Sequence, residues 1–189
     1  MRFHSVAEIG ELYRQWGDHM YDEEVSQTTH AVQCARRAQR DGAPTELIVA
    51  ALLHDVGHLL EIKARASAEV VADVDLRHQE SGALALSGIF GESVTEPIRW
   101  HVEAKRYLCA TDGDYASSLS AGSTVSLALQ GGPMSEPECA EFLDNPRSAD
   151  AIRLRRWDDR GKDVDDPPAS FDDFEQLLTV LVDGLTSTR

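Results

Sequence analysis

Between Ala50 and His58 the chain reads Ala-Ala-Leu-Leu-His-Asp-Val-Gly-His, a small and apolar run that ends in a His-Asp pair with a second histidine one helical turn later. A helix that is apolar nearly all round is buried, so the pair sets two ionisable groups in or beside the core. Groups of that kind need partners. A metal ion satisfies both, because imidazole is a nitrogen ligand for borderline metals and a carboxylate has two oxygens with which to bridge two cations. The spacing predicts one central helix, opened by Pro44 and Thr45 and reaching His54 to Leu60, with His54 and His58 on a shared face. A competing reading is a helix C-terminus at which histidine favours the dipole and Asp55 is a solvated cap. Further potential ligands favour the metal: His30 lies upstream, and His78, His101 and Asp158 lie downstream.

The rest of the chain reads as helices around that one. Ser5 and Glu8 have capping-box spacing, and Val6, Ile9, Leu12, Tyr13 and Trp16 recur at helical intervals, predicting a first helix that ends near Gly17. A second begins near 24–26 and runs to Asp41, stopped by Gly42, with His30, Cys34 and Ala38 on one strip. Residues 63–75 carry no clear assignment. Helices are expected from His78 to Phe90 and from Ser93 to about Tyr107, the latter with Pro97 tolerable only in its first turn and with Lys105 one turn beyond His101. Thr111 to Asp114 is a turn, Ser118 to Gln130 a helix stopped by Gly131-Gly132-Pro133, and Ser135 the cap of a short helix containing Phe142. Ser148 starts the helix that delivers Trp157 and Asp158, and Ser170 caps a final packing helix over about 170–186. With no strand-like alternation and no repeat, the expectation is an all-α, single-domain helical bundle over residues 1–189.

Composition narrows the function. The formal net charge of -15 argues against nucleic acid, whose phosphates need a basic surface. No apolar run is long enough to cross a membrane, and the N-terminal stretch lacks the apolar core of a signal peptide, so a cytoplasmic location is expected. Cys34, Cys109 and Cys139 are odd in number and widely spaced, which suits reduced, buried thiols rather than disulfides or a cysteine zinc site.

The motifs carry a resemblance. "ALLHDVGH", with a histidine before it and an aspartate well after it, is similar to the HD-domain superfamily, an all-helical, metal-dependent fold. The segments "SQTTHAVQCA", "ALLHDVGHL", "HQESGALAL", "HVEAKRYLCA", "LSAGSTVSLALQGGPM" and "LRRWDDRGK" resemble, in the same order, the PhnZ-like mixed-valence di-iron oxygenases, over about residues 21–162. The resemblance implies His30, His54, Asp55 and Asp158 at one metal, and His78 and His101 at a second, with Asp55 bridging. It implies two irons, Fe2+ and Fe3+, with dioxygen as co-substrate; the ligand types alone suit iron, manganese or zinc equally.

It also implies a zwitterionic organophosphonate substrate contacted by His58, Lys105, Ser123 and Gln130, which offer an imidazole, a cation, a hydroxyl and an amide to a phosphonate dianion. Tyr21 and Glu24 resemble the family's Tyr-x-x-Glu pair beside the substrate amine and the sixth iron position. Here the chain departs from the pattern: the spacing to His30 is one residue shorter, and Glu23 replaces a glycine. The implied reaction is oxidative C–P cleavage of an (R)-2-amino-1-hydroxyethylphosphonate or its trimethylammonio analogue, giving phosphate plus glycine or glycine betaine. The alternative is an HD-type phosphohydrolase of nucleotides or phosphate esters, using the same ligands with a metal-bound hydroxide.

Overall fold

In a computed structural model, which describes residues 1–21, 25–66, 77–167 and 170–186 (at 185 and 186 the backbone alone), the chain is all helical. Eleven helices appear among the described residues: α1 Val6–Trp16, α2 Gln27–Arg40, α3 Thr45–Leu53, α4 Val56–Ala66, α5 His78–Leu86, α6 Glu92–Thr111, α7 Gly113–Ser118, α8 Ala121–Leu129, α9 Glu136–Asp144, α10 Ser148–Arg160 and α11 Asp172–Thr186. The ends follow local chemistry. The Ser5 hydroxyl accepts from the Glu8 amide, Ser26 from Thr29 and Ser120 from Ser123, and Gly42 leaves α2 at a φ of +64° that other residues resist.

Helix α3 is the axis of the bundle. Every residue from Leu47 to Leu53 is buried, as a helix apolar on all sides must be, and α2, α6, α10 and α11 pack around it. Leu52 and Leu53 are wholly inaccessible, and burial of that completeness stabilises by roughly 1.5–3 kcal/mol per side chain. Phe171, Phe174 and Leu178 of the C-terminal segment cover the same core, with Phe171 stacked on Tyr13 at 4.2 Å. A smaller cluster of Ala104, Met134, Phe142 and Ala151 closes the far side of α6.

Several boundaries differ from the sequence expectation. The central helix is two helices: α3 stops at Leu53, His54 is its C-cap, and α4 starts at Val56, so His54 and His58 do not share one helix. Tyr13 from α1 donates to the Leu52 carbonyl at 3.0 Å and the His54 ring bonds the Ala51 carbonyl at 2.9 Å, so tertiary and side-chain donors take over where the ladder is interrupted. Residues 63–66 continue α4, and the remainder of the unassigned segment, from 67 onward, lies outside the described residues. Helix α5 ends at Leu86 rather than Phe90: there the Phe3 amide of the crossing N-terminal stretch donates to the Ala85 carbonyl at 2.9 Å, and Gly88 leaves room for the Phe3 carbonyl, which a Cβ would meet at 2.4 Å. Helix α6 begins at Glu92 and runs to Thr111, which puts Pro97 in its second turn. The helix expected from Ser118 starts at Ala121, and α7 fills the turn before it, capped by the Asp112 side chain at the Tyr115 amide.

Candidate metal centre and substrate cavity

The break between α3 and α4 sets His54 and Asp55 side by side at the end of the buried axis. Around them, α2 brings His30, α5 opens on His78, α6 brings His101 and α10 brings Asp158, all buried. The Nε2 atoms of His30 and His54 face each other at 3.3 Å, and those of His78 and His101 do the same at 3.3 Å. Asp55 sits between the two pairs. Its Oδ2 lies 3.6 Å from His30 Nε2 and 3.3 Å from His54 Nε2, and its Oδ1 lies 3.4 Å from His78 Nε2 and 3.7 Å from His101 Nε2. Asp158 joins the first pair only, at 3.4 Å from His30 and 3.8 Å from His54.

The tautomers follow from the outward nitrogens. Nδ1 of His30 faces the Gly161 carbonyl at 2.8 Å, that of His54 the Ala51 carbonyl at 2.9 Å, and that of His101 the Ile98 carbonyl at 2.7 Å. A carbonyl only accepts, so each ring holds its proton on Nδ1 and turns a lone pair inward. Facing lone pairs repel unless something positive lies between them. Burial works to push the His30 and His54 imidazoles down, yet both stand well above their ordinary range: Cys34 foremost, then Asp158 and Asp55, raise His30, and Asp55 followed by Asp158 raises His54. Asp55 is held well below the usual carboxylate range against its burial, chiefly by His54, and Asp158 by Arg155 and the histidines.

Donors converging in this way suit a cation. Metal–ligand bonds of about 2.0–2.2 Å place neighbouring donors about 3.0–3.4 Å apart, close to the separations seen here. Among the described residues Asp158 Oδ1 is buried with no hydrogen-bond partner, an orphan that a cation would satisfy. The residues therefore fit two nitrogen- and oxygen-ligated ions sharing Asp55.

Cys34 and His58 stand beside these donors. The Cys34 thiol lies 3.8 and 3.9 Å from the two ring nitrogens of His30, hence over the ring rather than along its lone pair, and points to the Trp157 carbonyl. The His58 ring stacks on His78 at 3.9 Å with Nδ1 3.5 Å from Glu61, and its donor atom comes within 4.8 Å of those of Asp55 and His78. Gly57 explains the intervening glycine of the motif: a Cβ there would sit 2.1 Å from the His78 carbonyl oxygen, so only glycine lets α5 present His78 this close to Asp55.

Above the donors opens a cavity of about 870 Å³, large enough for a small ligand. Its walls bring together Tyr21, His58, Lys105, Ser123 and Gln130 with Asp55, His78, His101 and Asp158. Lys105 is buried and donates to Ser126 Oγ at 2.7 Å. Burial, then the Arg155 charge, pushes its ammonium down to about 8. Tyr21 stacks on the His30 ring at 3.8 Å, and burial followed by Asp158 and Asp55 keeps its phenol well above the ordinary range, hence protonated. Glu24 lies outside the described residues.

Three further contributors are not singled out by the motifs. Arg155 donates to Asp158 at 2.6 Å and also bonds Asp159 and the Tyr115 hydroxyl, so it orients Asp158 while lining the cavity. Its place three residues before Asp158 on one helix was the available signal. Lys162 and Glu61 also line the cavity. Charged residues on a helix flank or in a loop read as solvated faces, and nothing local marks these as inward.

An all-helical bundle whose central helix breaks to set histidines and a shared aspartate under a cavity defines a metal-centred class of protein. The HD domain family profile matches residues 12–143. The chain is 46% identical over 157 residues to the hydroxymethylphosphonate dioxygenase of Gimesia maris, covering 83% of this chain and 78% of that protein. It is 40% identical over 179 residues to the glycine-betaine-forming [1-hydroxy-2-(trimethylamino)ethyl]phosphonate dioxygenase of Leisingera caerulea, covering 94% and 90%. An uncharacterized protein, L432, of Acanthamoeba polyphaga mimivirus is 30% identical over 177 residues. The chain belongs to the HD-domain family, and within it to the oxygen-using enzymes that these dioxygenases represent. No described helix is long and apolar enough to cross a membrane.

Proposed function

We propose that this protein is an iron-dependent dioxygenase that cleaves the C–P bond of a small 1-hydroxyphosphonate, working as one HD-type domain. The observation that carries the reading is Asp55, whose two oxygens face two separate imidazole pairs beneath a cavity walled by Lys105. His30, His54, Asp55 and Asp158 would hold one iron, and His78, His101 and Asp55 the other, as an Fe2+/Fe3+ pair. When bound, the irons supply redox chemistry with dioxygen and Lewis acidity toward the substrate's hydroxyl and phosphonate oxygens.

The chain's own groups bind and orient. The Lys105 ammonium neutralises phosphonate charge, with the Ser123 hydroxyl, the Gln130 amide and the His58 imidazole as further hydrogen-bonding partners. Among the described residues Gln130 Oε1 is buried without a hydrogen-bond partner, an acceptor ready for a ligand donor such as the substrate hydroxyl. Tyr21, neutral and packed on His30, closes one wall and keeps water from that face. Glu24 would act with Tyr21 at the head-group end. Overall, R–CH(OH)–PO3H2 and O2 give R–COOH and H3PO4: the C–P and C–H bonds break, and carbon is oxidised by the oxygen consumed.

The test is phosphate release by iron-loaded protein, with and without dioxygen, from hydroxymethylphosphonate, (R)-2-amino-1-hydroxyethylphosphonate and its N-trimethyl analogue. Oxygen-dependent release from at least one is expected. The Asp55→Asn variant is expected to lose iron and fall below about one hundredth of the wild-type rate, since it removes the charge between both pairs. Release that is indifferent to oxygen would instead indicate a hydrolytic cleavage of the C–P bond, release from none of the three would favour a phosphohydrolase of phosphate esters, and wild-type iron and rate in Asp55→Asn would remove the site.

A further inference from the structure

Tyr21 has both faces covered. The His30 ring fills one at 3.8 Å, nearly parallel at 12°. On the other, the Lys162 ammonium stands 5.1 Å from the ring centroid, within cation–π range. The same ammonium reaches Ser120 Oγ at 3.3 Å; Ser120 in turn bonds the Ser123 hydroxyl, while Lys105 holds Ser126 one turn further along α8. Two lysines thus flank a row of three serines, Ser120, Ser123 and Ser126, on the cavity wall. Among the described residues neither lysine has a carboxylate partner within salt-bridge distance, so neither ammonium is tied up in a direct ion pair there.

We infer that Lys162 is a specificity-determining residue: by standing on the open face of Tyr21 it excludes phosphonates with a cationic head group and favours hydroxymethylphosphonate-type substrates that carry none. The inference rests on reading the cavity as a 1-hydroxyphosphonate site and deepens that reading. A quaternary ammonium is recognised by open aromatic faces with nearby carboxylate. The other aromatic rings on the wall are the histidines, and His58 already spends a face on His78. Lys162 therefore occupies the position that a trimethylammonium would need, with a charge of the same sign, while its charge adds to that of Lys105 toward the phosphonate dianion.

The experiment is calorimetric binding to iron-loaded protein under anaerobic conditions, where no turnover occurs, for wild type, Lys162→Met and Lys162→Arg. The ligands are hydroxymethylphosphonate and (R)-1-hydroxy-2-(trimethylammonio)ethylphosphonate. Wild type is expected to bind the first at least about tenfold tighter than the second. Lys162→Met is expected to shrink that ratio by about tenfold, weakening the first and strengthening the second, and Lys162→Arg to keep it.

Equal or reversed preference in wild type, no binding of either ligand, or a ratio untouched by Lys162→Met would overturn the inference. The oxygenase reading fails separately: preferential binding with no oxygen-dependent phosphate release would remove that reading and leave Lys162 its role. Oxygen-dependent release with an unchanged ratio would do the opposite.

Discussion

Lys105 shows what burial does to a single side chain. Taken out of water beside Arg155, its ammonium is pushed down to about 8, with Asp158, Asp159 and Asp55 pulling weakly the other way. Below that pH the group is cationic and can hold a phosphonate dianion; above it the charge is lost. Because kcat/KM reports ionisation in the free enzyme, it is expected to fall as pH rises through about 8, by up to about tenfold per unit, and Lys105→Arg is expected to flatten the fall. A flat profile through pH 9 for the wild type would detach Lys105 from substrate. The six donor positions were legible from the His54-Asp55 pair at the end of an apolar run, from the histidines spaced around it, and from the ordered segments that resemble the HD-domain oxygenases. Arg155 and Lys162 were not. A cation three residues from Asp158, or just past a helix end, has the local pattern of any solvated face, and only the folded wall shows where it points.

At the scale of elements, the centre depends on two departures from regular helix that periodicity does not reveal. No glycine or proline lies between Leu53 and Val56, so nothing local announces the break. Side chains take up the freed carbonyls there, Tyr13 of α1 at that of Leu52 and the His54 ring itself at that of Ala51. On an unbroken helix His54 and Asp55 would diverge by about 100° around the axis. The break turns both toward one point. The second departure is the crossing of α4 and α5, where Gly57 meets the His78 backbone and Gly82 comes against Gly57. Gly57→Ala is expected to destabilise by about 1–3 kcal/mol, because the added carbon meets backbone that cannot rotate away. Since α5 carries His78, iron content should fall with it. Urea midpoints and iron analysis check both, and a variant with wild-type values for each would show that the crossing can relax. The number, order and caps of the main helices were readable from spacing and serine placement; the break between α3 and α4 was not, since part of what takes up its carbonyls comes from α1.

For the whole molecule, the decisive property is the opposition between its global and local fields. A net charge of -15 repels any phosphonate at long range, while the cavity that must hold one sets Lys105, Lys162, Arg155 and Arg65 against Asp55, Glu61 and Asp158, a locally balanced wall on an acidic molecule. Salt separates the two. At about 0.01 M ionic strength the Debye length is about 30 Å, enough for the whole surface to act on an approaching anion, and at about 0.1 M it is about 10 Å, which leaves only nearby charges in play. Buried groups such as Lys105 are screened little at either. Raising sodium chloride over that range is therefore expected to increase kcat/KM for a phosphonate by about two- to fivefold, through encounter rather than through the bound complex, with kcat nearly constant. Most anion-binding proteins carry a positive field and lose affinity with salt, so the sign alone is diagnostic. A fall in kcat/KM would mean that the cations at the cavity reach further than the surface carboxylates and steer the substrate in. A rise confined to phosphonates without a cationic head group would tie the long-range field to net substrate charge, since a zwitterion bearing an ammonium is repelled less.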